Sequence, residues 1–142
     1  MRAWLLTANP KRQGLGRIMT ADDLERYART VMSWDNWSVR STKIRENDSF
    51  FLMLLGQGRL NGIMARGSIC SAPYKGESWD EEGEALYVNV NFDSHPHFLS
   101  QKLLRERFPD QLWSPQSSGI SIRAKYLKDL DSLYKEEGLG YS

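Results

Sequence analysis

The chain has 142 residues, of which 40% are hydrophobic and 26% are charged, and its formal net charge is +1. This size and composition are typical of one globular domain with a hydrophobic core and exclude a largely disordered chain. No apolar run approaches the roughly 20 residues of a membrane-spanning helix, and the apolar stretch after Met1 is too short for a signal peptide. We therefore expect one cytoplasmic domain over residues 1–142.

The charge is unevenly distributed along the chain. Residues 1–71 contain 11 Lys and Arg against 6 Asp and Glu, whereas residues 72–142 contain 8 against 12. The halves thus carry +5 and −4. A basic first half favours a polyanionic partner, although ordinary surface charge scattered by chance would give the same count.

In chain order, the first predicted element is a buried strand over residues 3–7, which Asn9-Pro10 ends. Thr20 followed by Asp23 is a capping signal for a helix. The apolar residues of that helix recur with helical spacing on one face: Leu24, Tyr27, Ala28 and Val31.

The middle of the chain is predicted to consist of strands. Residues 50–55 form a short apolar run, and alternating residues predict two further strands: Ile63, Ala65, Gly67 and Ile69 in a half-buried one, then Leu86, Val88, Val90 and Phe92. A helix from Leu99 to Phe108 should stop at Pro109. Ile120 and Ile122 indicate a strand, and the last helix ends near Gly138 with this inner face: Leu127, Leu130, Leu133 and Tyr134. The expected fold class is α+β, a strongly curved mixed sheet or small barrel flanked by helices.

Motifs for catalysis are missing, and we expect neither a cofactor nor a metal. Cys70 is the only cysteine, which excludes an internal disulfide and a zinc site built on several cysteines. His95 and His97 could share a metal, but nothing nearby supplies the other ligands in a recognisable spacing. The acidic run over residues 80–84 is more simply a solvated loop than a catalytic pair.

The aromatic residues carry more information. Five of them are predicted to fall in or beside loops, away from core periodicity: Trp34, Trp37, Tyr74, Trp79 and Trp113. Each one alone is best explained by packing. As a set next to a basic half, they indicate a pocket that could stack on the flat faces of a nucleobase.

Four sequence blocks resemble EVE domains of the PUA-like superfamily, in the family's order over roughly residues 3–122. The nearest resemblance is to those fused to His-Asn-His nucleases in modification-dependent restriction. The blocks are Trp4 to Arg12, then Trp37-Ser38-Val39 with Thr42-Lys43 and Asp48, then Gly56 to Tyr74, and finally Trp113-Ser114-Pro115-Gln116-Ser117-Ser118-Gly119.

The resemblance implies a PUA-like barrel that binds 5-methylcytosine or 5-hydroxymethylcytosine flipped out of DNA into an aromatic pocket. The residues assigned to this pocket are Asn9, Trp37, Ser38, Gln57, Tyr74, Trp79, Trp113, Gln116, Ser117 and Ser118. Those assigned to phosphates are Lys11, Arg12, Lys43 and Arg45. The amide of Gln116 can donate and accept at once, as a base edge demands. The domain would be a non-catalytic specificity module of a restriction system, with cleavage supplied by a nuclease domain or partner.

One departure from the family pattern is Gln13, where members often carry Trp, so the aromatic cage or the base that it selects can differ.

Three other functions stay open. A similar pocket can accept a modified or unpaired ribonucleotide of RNA. A small ribonuclease on this fold would need a general base, for which Lys11, Lys43 or a Tyr are the candidates. The third alternative is a protein-interaction module.

Overall fold

Eight strands form one mixed sheet. In the computed structural model, which describes residues 2–8, 33–55, 61–77, 84–92, 99–113 and 119–139, the strands are β1 (Ala3–Ala8), β2 (Ser33–Val39), β3 (Ser49–Leu54), β4 (Gly62–Ile69), β5 (Tyr74–Glu77), β6 (Glu84–Phe92), β7 (Leu99–Ser100) and β8 (Ile120–Ser121). Helix α1 spans Gln101–Arg107 and helix α2 spans Ala124–Leu139. The helix predicted after Thr20 lies outside the described residues.

The strand order is β2-β6-β4-β3-β1-β8, with β5 paired to β6 and β7 paired to β4. Only β1 and β3 pair in parallel, from Ala3 opposite Ser49 to Ala8 opposite Leu54, and the other pairs are antiparallel. The sheet curls so far that its two outer strands approach each other: a side chain at Gly119, just before β8, would contact Val39 at the end of β2.

Strands β1 and β3 are buried on both faces, which explains why their sequences are continuous apolar runs. Trp4, Leu6, Phe50 and Leu52 face an inner core that also contains Trp37. The alternate residues of the same two strands face an outer core, which the helices cover: Ala3, Leu5, Phe51 and Met53.

Local signals in the sequence fix the helices on the outer core. Ser100 caps α1 by accepting a hydrogen bond from the Leu103 N–H at 3.2 Å, and Pro109 follows the C-cap Phe108. Helix α2 packs through Leu130, Leu133 and Tyr134. Asp131 of this helix forms an ion pair with Arg66 of β4, with 2.7 Å between the guanidinium nitrogen and the carboxylate oxygen, and this contact connects the helix to the sheet.

The predicted fold class is confirmed as an α+β arrangement with a curved mixed sheet and flanking helices. The half-buried character expected for β4 is confirmed in its second half, where Arg66 and Ser68 alternate with buried residues, and is wrong in its first half, because Gly62 to Ala65 are all buried. Ile63 faces the outer core while Met64 and Ala65 face the inner one, at a register shift opposite Leu52 and Met53. No helix in the described ranges has the length and apolar character that a membrane span requires.

The close contact between β4 and β6 depends on Gly67. A Cβ there would overlap the carbonyl oxygen of Asn91 and lie 2.7 Å from Cε1 of Phe50. Gly67→Ala should therefore lower the free energy of unfolding by about 1–3 kcal/mol or more, since backbone must move to admit the methyl group. Chemical denaturation measures this change. The matched control is Ser68→Ala at the exposed neighbouring position, and an equal effect of the two substitutions would contradict the steric explanation.

Candidate nucleic-acid interface

The two outer strands of the sheet meet at Gly119, and we call this line of contact the β2–β8 seam. The Gly119 N–H donates to the carbonyl oxygen of Leu5 at 3.0 Å. Its φ of +90° lies in the left-handed region, and a Cβ would be 3.1 Å from Cβ of Val39 and 3.4 Å from the Arg40 nitrogen. Both the backbone conformation and the close approach therefore favour glycine at this position.

The connection over residues 40–48, between β2 and β3, is tied to β1 through Asp48. This carboxylate is 8% exposed. Its Oδ2 accepts hydrogen bonds from Nε1 of Trp4 at 2.8 Å and from the Arg45 N–H at 3.0 Å. A buried charge is tolerated where donors satisfy it, so Asp48 fixes the connection against the inner core.

Residues 45–48 form a tight turn held on both sides. Within the turn, the Asp48 N–H donates to the Arg45 carbonyl at 3.1 Å. Toward β4, the Asn47 N–H donates to the Ile69 carbonyl at 2.8 Å, and the Ile69 N–H donates to the backbone carbonyl of Asp48 at 2.8 Å. Asn47 has a φ of 76°, a conformation that Asn adopts more readily than most residues. The backbone that carries Arg45 is thus pre-organised.

Three exposed cations lie on the connection: Arg40, Lys43 and Arg45. The ion pairs that join described residues are Arg66–Asp131, Lys125–Asp110 and Lys135–Asp131, so none of them engages these three. The Lys43 N–H donates to Oγ of Ser41 at 3.1 Å, which orders the backbone without using the charge. Cations held on a fixed backbone suit the binding of phosphate groups.

The predicted pocket segment over residues 114–118 lies between two fixed ends. Before it, Trp113 is 2% exposed and packs in the outer core, where Nε1 donates to the Phe108 carbonyl at 3.0 Å. The Trp113 carbonyl accepts a bond of 2.9 Å from Nε2 of Gln101. After the segment, Gly119 joins the seam. Gln116, Ser117 and Ser118 themselves lie outside the described residues.

Trp37 lies within β2, so the expectation that it falls in or beside a loop is wrong. It is 1% exposed in the inner core and meets the Phe92 ring edge-on, with centroids 6.3 Å apart. Its neighbour Ser38 pairs in register with Tyr87. A truncation of Trp37 to Ala would remove core packing of about 3–5 kcal/mol, and its assigned role as a pocket wall stays a prediction.

Tyr74 belongs to a polar cluster where β4 bends into β5. Its hydroxyl donates to Oδ1 of Asn89 at 2.6 Å, and the Asn89 N–H donates to Oγ of Ser71 at 3.0 Å. The Tyr74 ring lies 6.3 Å from that of Tyr87, the residue it opposes in register. Because Tyr87 alternates with Val88, which faces the inner core with Trp37, the sheet places Tyr74 and Trp37 on opposite faces.

The other assigned residues lie outside the described part of the chain: Asn9, Lys11, Arg12, Gln57 and Trp79, together with Gln13 and the histidines 95 and 97. Asn9 directly follows the end of β1, and Gln57 follows β3. Because β1 and β3 are parallel, the chain leaves both strands at the same edge of the sheet. Among the described residues, no group of three or more His, Cys, Asp or Glu could hold a metal ion.

Sequence reasoning gave no site role to Asp48 or Arg40, and it placed Gly119 at the end of a segment expected to form part of the pocket rim. The Asn47-Asp48 pair is a turn signal that precedes a buried strand, and it could have indicated a structured turn. The contact of Gly119 with β2 has no local signal, because it depends on the closure of the whole sheet.

Neither protein-family profiles nor curated protein sequences give a match. Solved structures do. The human THYN1 protein in complex with 5-methylcytosine containing DNA is 14% identical, with a TM-score of 0.64, over 95% of this chain and 98% of that one. Rpa0253 from Rhodopseudomonas palustris is 16% identical, with a TM-score of 0.62, over 98% and 94%. PSPTO5229 from Pseudomonas syringae is 17% identical, with a TM-score of 0.59, over 93% and 99%. The similarity shows the PUA-like fold expected from the resemblance to EVE domains.

Asp48 should contribute strongly to stability through the two donors that it satisfies. Asp48→Ala leaves Nε1 of Trp4 and the Arg45 N–H without this acceptor, and we expect a loss of about 1–3 kcal/mol for each donor that stays buried. Urea denaturation measures the loss. Glu46→Ala, on the exposed side of the same turn, is the matched control, and similar midpoints for both variants would show that the Asp48 bonds are not stabilising.

Proposed function

We propose that this protein is a reader domain that binds a modified cytosine, 5-methylcytosine or 5-hydroxymethylcytosine, flipped out of DNA. The observation that carries the proposal is the similarity, over nearly the full length of both chains, to a protein solved with DNA containing 5-methylcytosine. The sequence blocks that resemble EVE domains support the same function independently. The reader function is compatible with the cytoplasmic location expected from the sequence.

The β2–β8 seam supplies two features that such a reader needs. The rigid connection carries Arg40, Lys43 and Arg45, whose charges are suited to the DNA backbone. The seam also holds one end of the segment that contains Gln116, Ser117 and Ser118, whose small polar residues allow close approach to a base edge. Base flipping requires a pocket with stacking faces and hydrogen-bonding groups in addition to phosphate contacts. Tyr74 and Gln116 are residues of these types, whereas Trp37 and Trp113 are buried in the inner and the outer core.

We further propose that the domain is the non-catalytic specificity module of a modification-dependent restriction system. A nuclease domain or partner protein would then cut the DNA. The support is the resemblance of the four sequence blocks to EVE domains fused to His-Asn-His nucleases. The protein alone, with added magnesium or manganese, should leave modified DNA intact, and cleavage by it would contradict the reader assignment.

The proposed ligand is tested with one oligonucleotide sequence in matched forms. Duplex DNA with cytosine, 5-methylcytosine or 5-hydroxymethylcytosine at one position is titrated in parallel with RNA of the same sequence. We expect tighter binding to modified DNA, because the 5-substituent adds a contact that cytosine lacks; one buried methyl-sized group contributes about 0.8 kcal/mol, roughly fourfold in Kd. Equal affinity for all DNA forms, or a preference for RNA, would contradict the proposal and favour the RNA-binding alternative.

Gln116 gives a sharper test of the pocket because its amide is assigned to the base edge. Gln116→Ala should weaken binding of modified DNA by about 1 kcal/mol, roughly fivefold in Kd, since one base-edge hydrogen bond is lost. The melting temperature should stay nearly unchanged. If stability falls and the folded protein binds as before, the amide ties its segment to the sheet and does not contact the base.

A further inference from the structure

Five exposed cations lie along the edge of the sheet where β1 and β3 begin and where β2 and β8 end. We call this set the basic rim: Arg2, Arg40, Lys43, Arg45 and Arg123. Only Lys43 and Arg45 belong to the residues assigned to phosphates from the sequence. Arg2 and Arg123 are separated by most of the chain, and the sheet register brings their backbones together.

The register places Arg2 and Arg123 beside the tight turn that carries Arg45. On one side of β1, the Ser49 N–H donates to the carbonyl of Arg2 at 3.1 Å, one residue after Asp48. On the other side, the Ile122 N–H donates to the carbonyl of Ala3 at 3.0 Å, one residue before Arg123. The seam adds Arg40, which lies against Gly119 at the entrance of β8.

The rim keeps a net positive charge. Its five cations stand against Glu46 and Asp48 on the same connection and against Asp110 near Arg123, and Asp48 is buried under its own hydrogen bonds. Arg123 donates Nε to the carbonyl oxygen of Asp110 at 2.8 Å, a contact that leaves its charge in place. The carboxylate of Asp110 is bound by Lys125 at 2.7 Å, a contact that lowers the pKa of Asp110 below its ordinary value.

We propose that the basic rim is a track for the phosphate backbone of DNA, extending the interface beyond the base pocket to Arg2, Arg40 and Arg123. The inference rests on the proposed reader function. The hydrogen-bonded neighbours β3, β1 and β8, at about 4.8 Å spacing, extend over roughly 10 Å, and β2 lies across the seam from Gly119. This extent matches a few consecutive phosphates of one strand at about 3.4 Å of helix rise each. The hydrogen bonds of Asp48 hold the centre of this track rigid, so binding loses little conformational freedom there.

The test uses the two rim residues that lie outside the connection over residues 40–48. Arg2→Gln with Arg123→Gln removes two charges, and the matched control is Lys102→Gln with Lys128→Gln, two exposed lysines on the helices. The Kd for duplex DNA with one 5-methylcytosine is measured between 50 and 200 mM salt. Each lost phosphate contact should reduce the slope of log K against log salt by about 0.9. Over this fourfold salt range, the affinity of the rim variant should therefore fall roughly 12-fold less than that of the wild type.

The ratio of affinities for methylated and unmethylated DNA should be the same in the rim variant and the wild type. The proposed phosphate track would be wrong if the rim variant kept the wild-type salt slope. It would also be wrong if the helix control reduced the salt slope as much as the rim variant does. A reduction seen with matched RNA and not with DNA would overturn the choice of ligand.

The two proposals fail in different ways. If the wild type shows no preference for modified cytosine but the rim variant reduces the slope on plain duplex DNA, the reader function is wrong and the track remains. If the preference is present and the slope is unchanged in the variant, the track is wrong and the reader function remains.

Discussion

The parallel pairing of β1 with β3 is the constraint on which the rest of the structure depends. Parallel strands cannot be joined by a short turn. Here 40 residues of chain lie between Ala8 and Ser49, and β2 lies within them. Both strands are buried on both faces, which requires an inner core under the curl and an outer core under the helices. The pair thereby fixes where the chain leaves the sheet at each end. Arg2 and Asp48 lie at one end of it, whereas Asn9 and Gln57 follow the other.

The curl of the sheet requires glycine at two positions, because the neighbouring chain there comes too close for a side chain. Gly67 allows β6 to approach β4, and Gly119 allows the chain before β8 to lie against Val39. At the second of these places the connection over residues 40–48 closes the inner core with Ile44, which is 2% exposed. A buried carboxylate at this position needs a hydrogen-bond donor. Trp4 supplies one, because its indole N–H donates to Asp48 from within the inner core. The same hydrogen bond therefore completes the packing and orients a charged surface.

Sequence reasoning predicted the elements with strong local patterns. The apolar runs of β1 and β3, the alternation of β6, the end of α1 before Pro109 and the apolar face of α2 are examples. It did not assign β2, because a register shift between Trp34 and Trp37 interrupts the alternation. It did not assign β7 either, whose two residues are too few to show a period. For the site, residue type pointed to phosphate contacts at Lys43 and Arg45, which are exposed in the structure, but not to their grouping with Arg2 and Arg123. That grouping arises from pairing between distant strands, which no local pattern encodes.

Separate parts of the sheet carry the two tasks of the proposed reader. Phosphate contacts determine position and overall affinity but carry no information on the base, which must come from groups that touch the base itself. The cations of the rim are attached to strand ends and a hydrogen-bonded turn, so their geometry is set by folding. In the sequence, Asn9, Gln57 and Gln116 fall outside the ranges of the described strands. The proposed base contacts and the proposed phosphate contacts therefore belong to different stretches of the chain, and a change of base preference does not require a change in the rim.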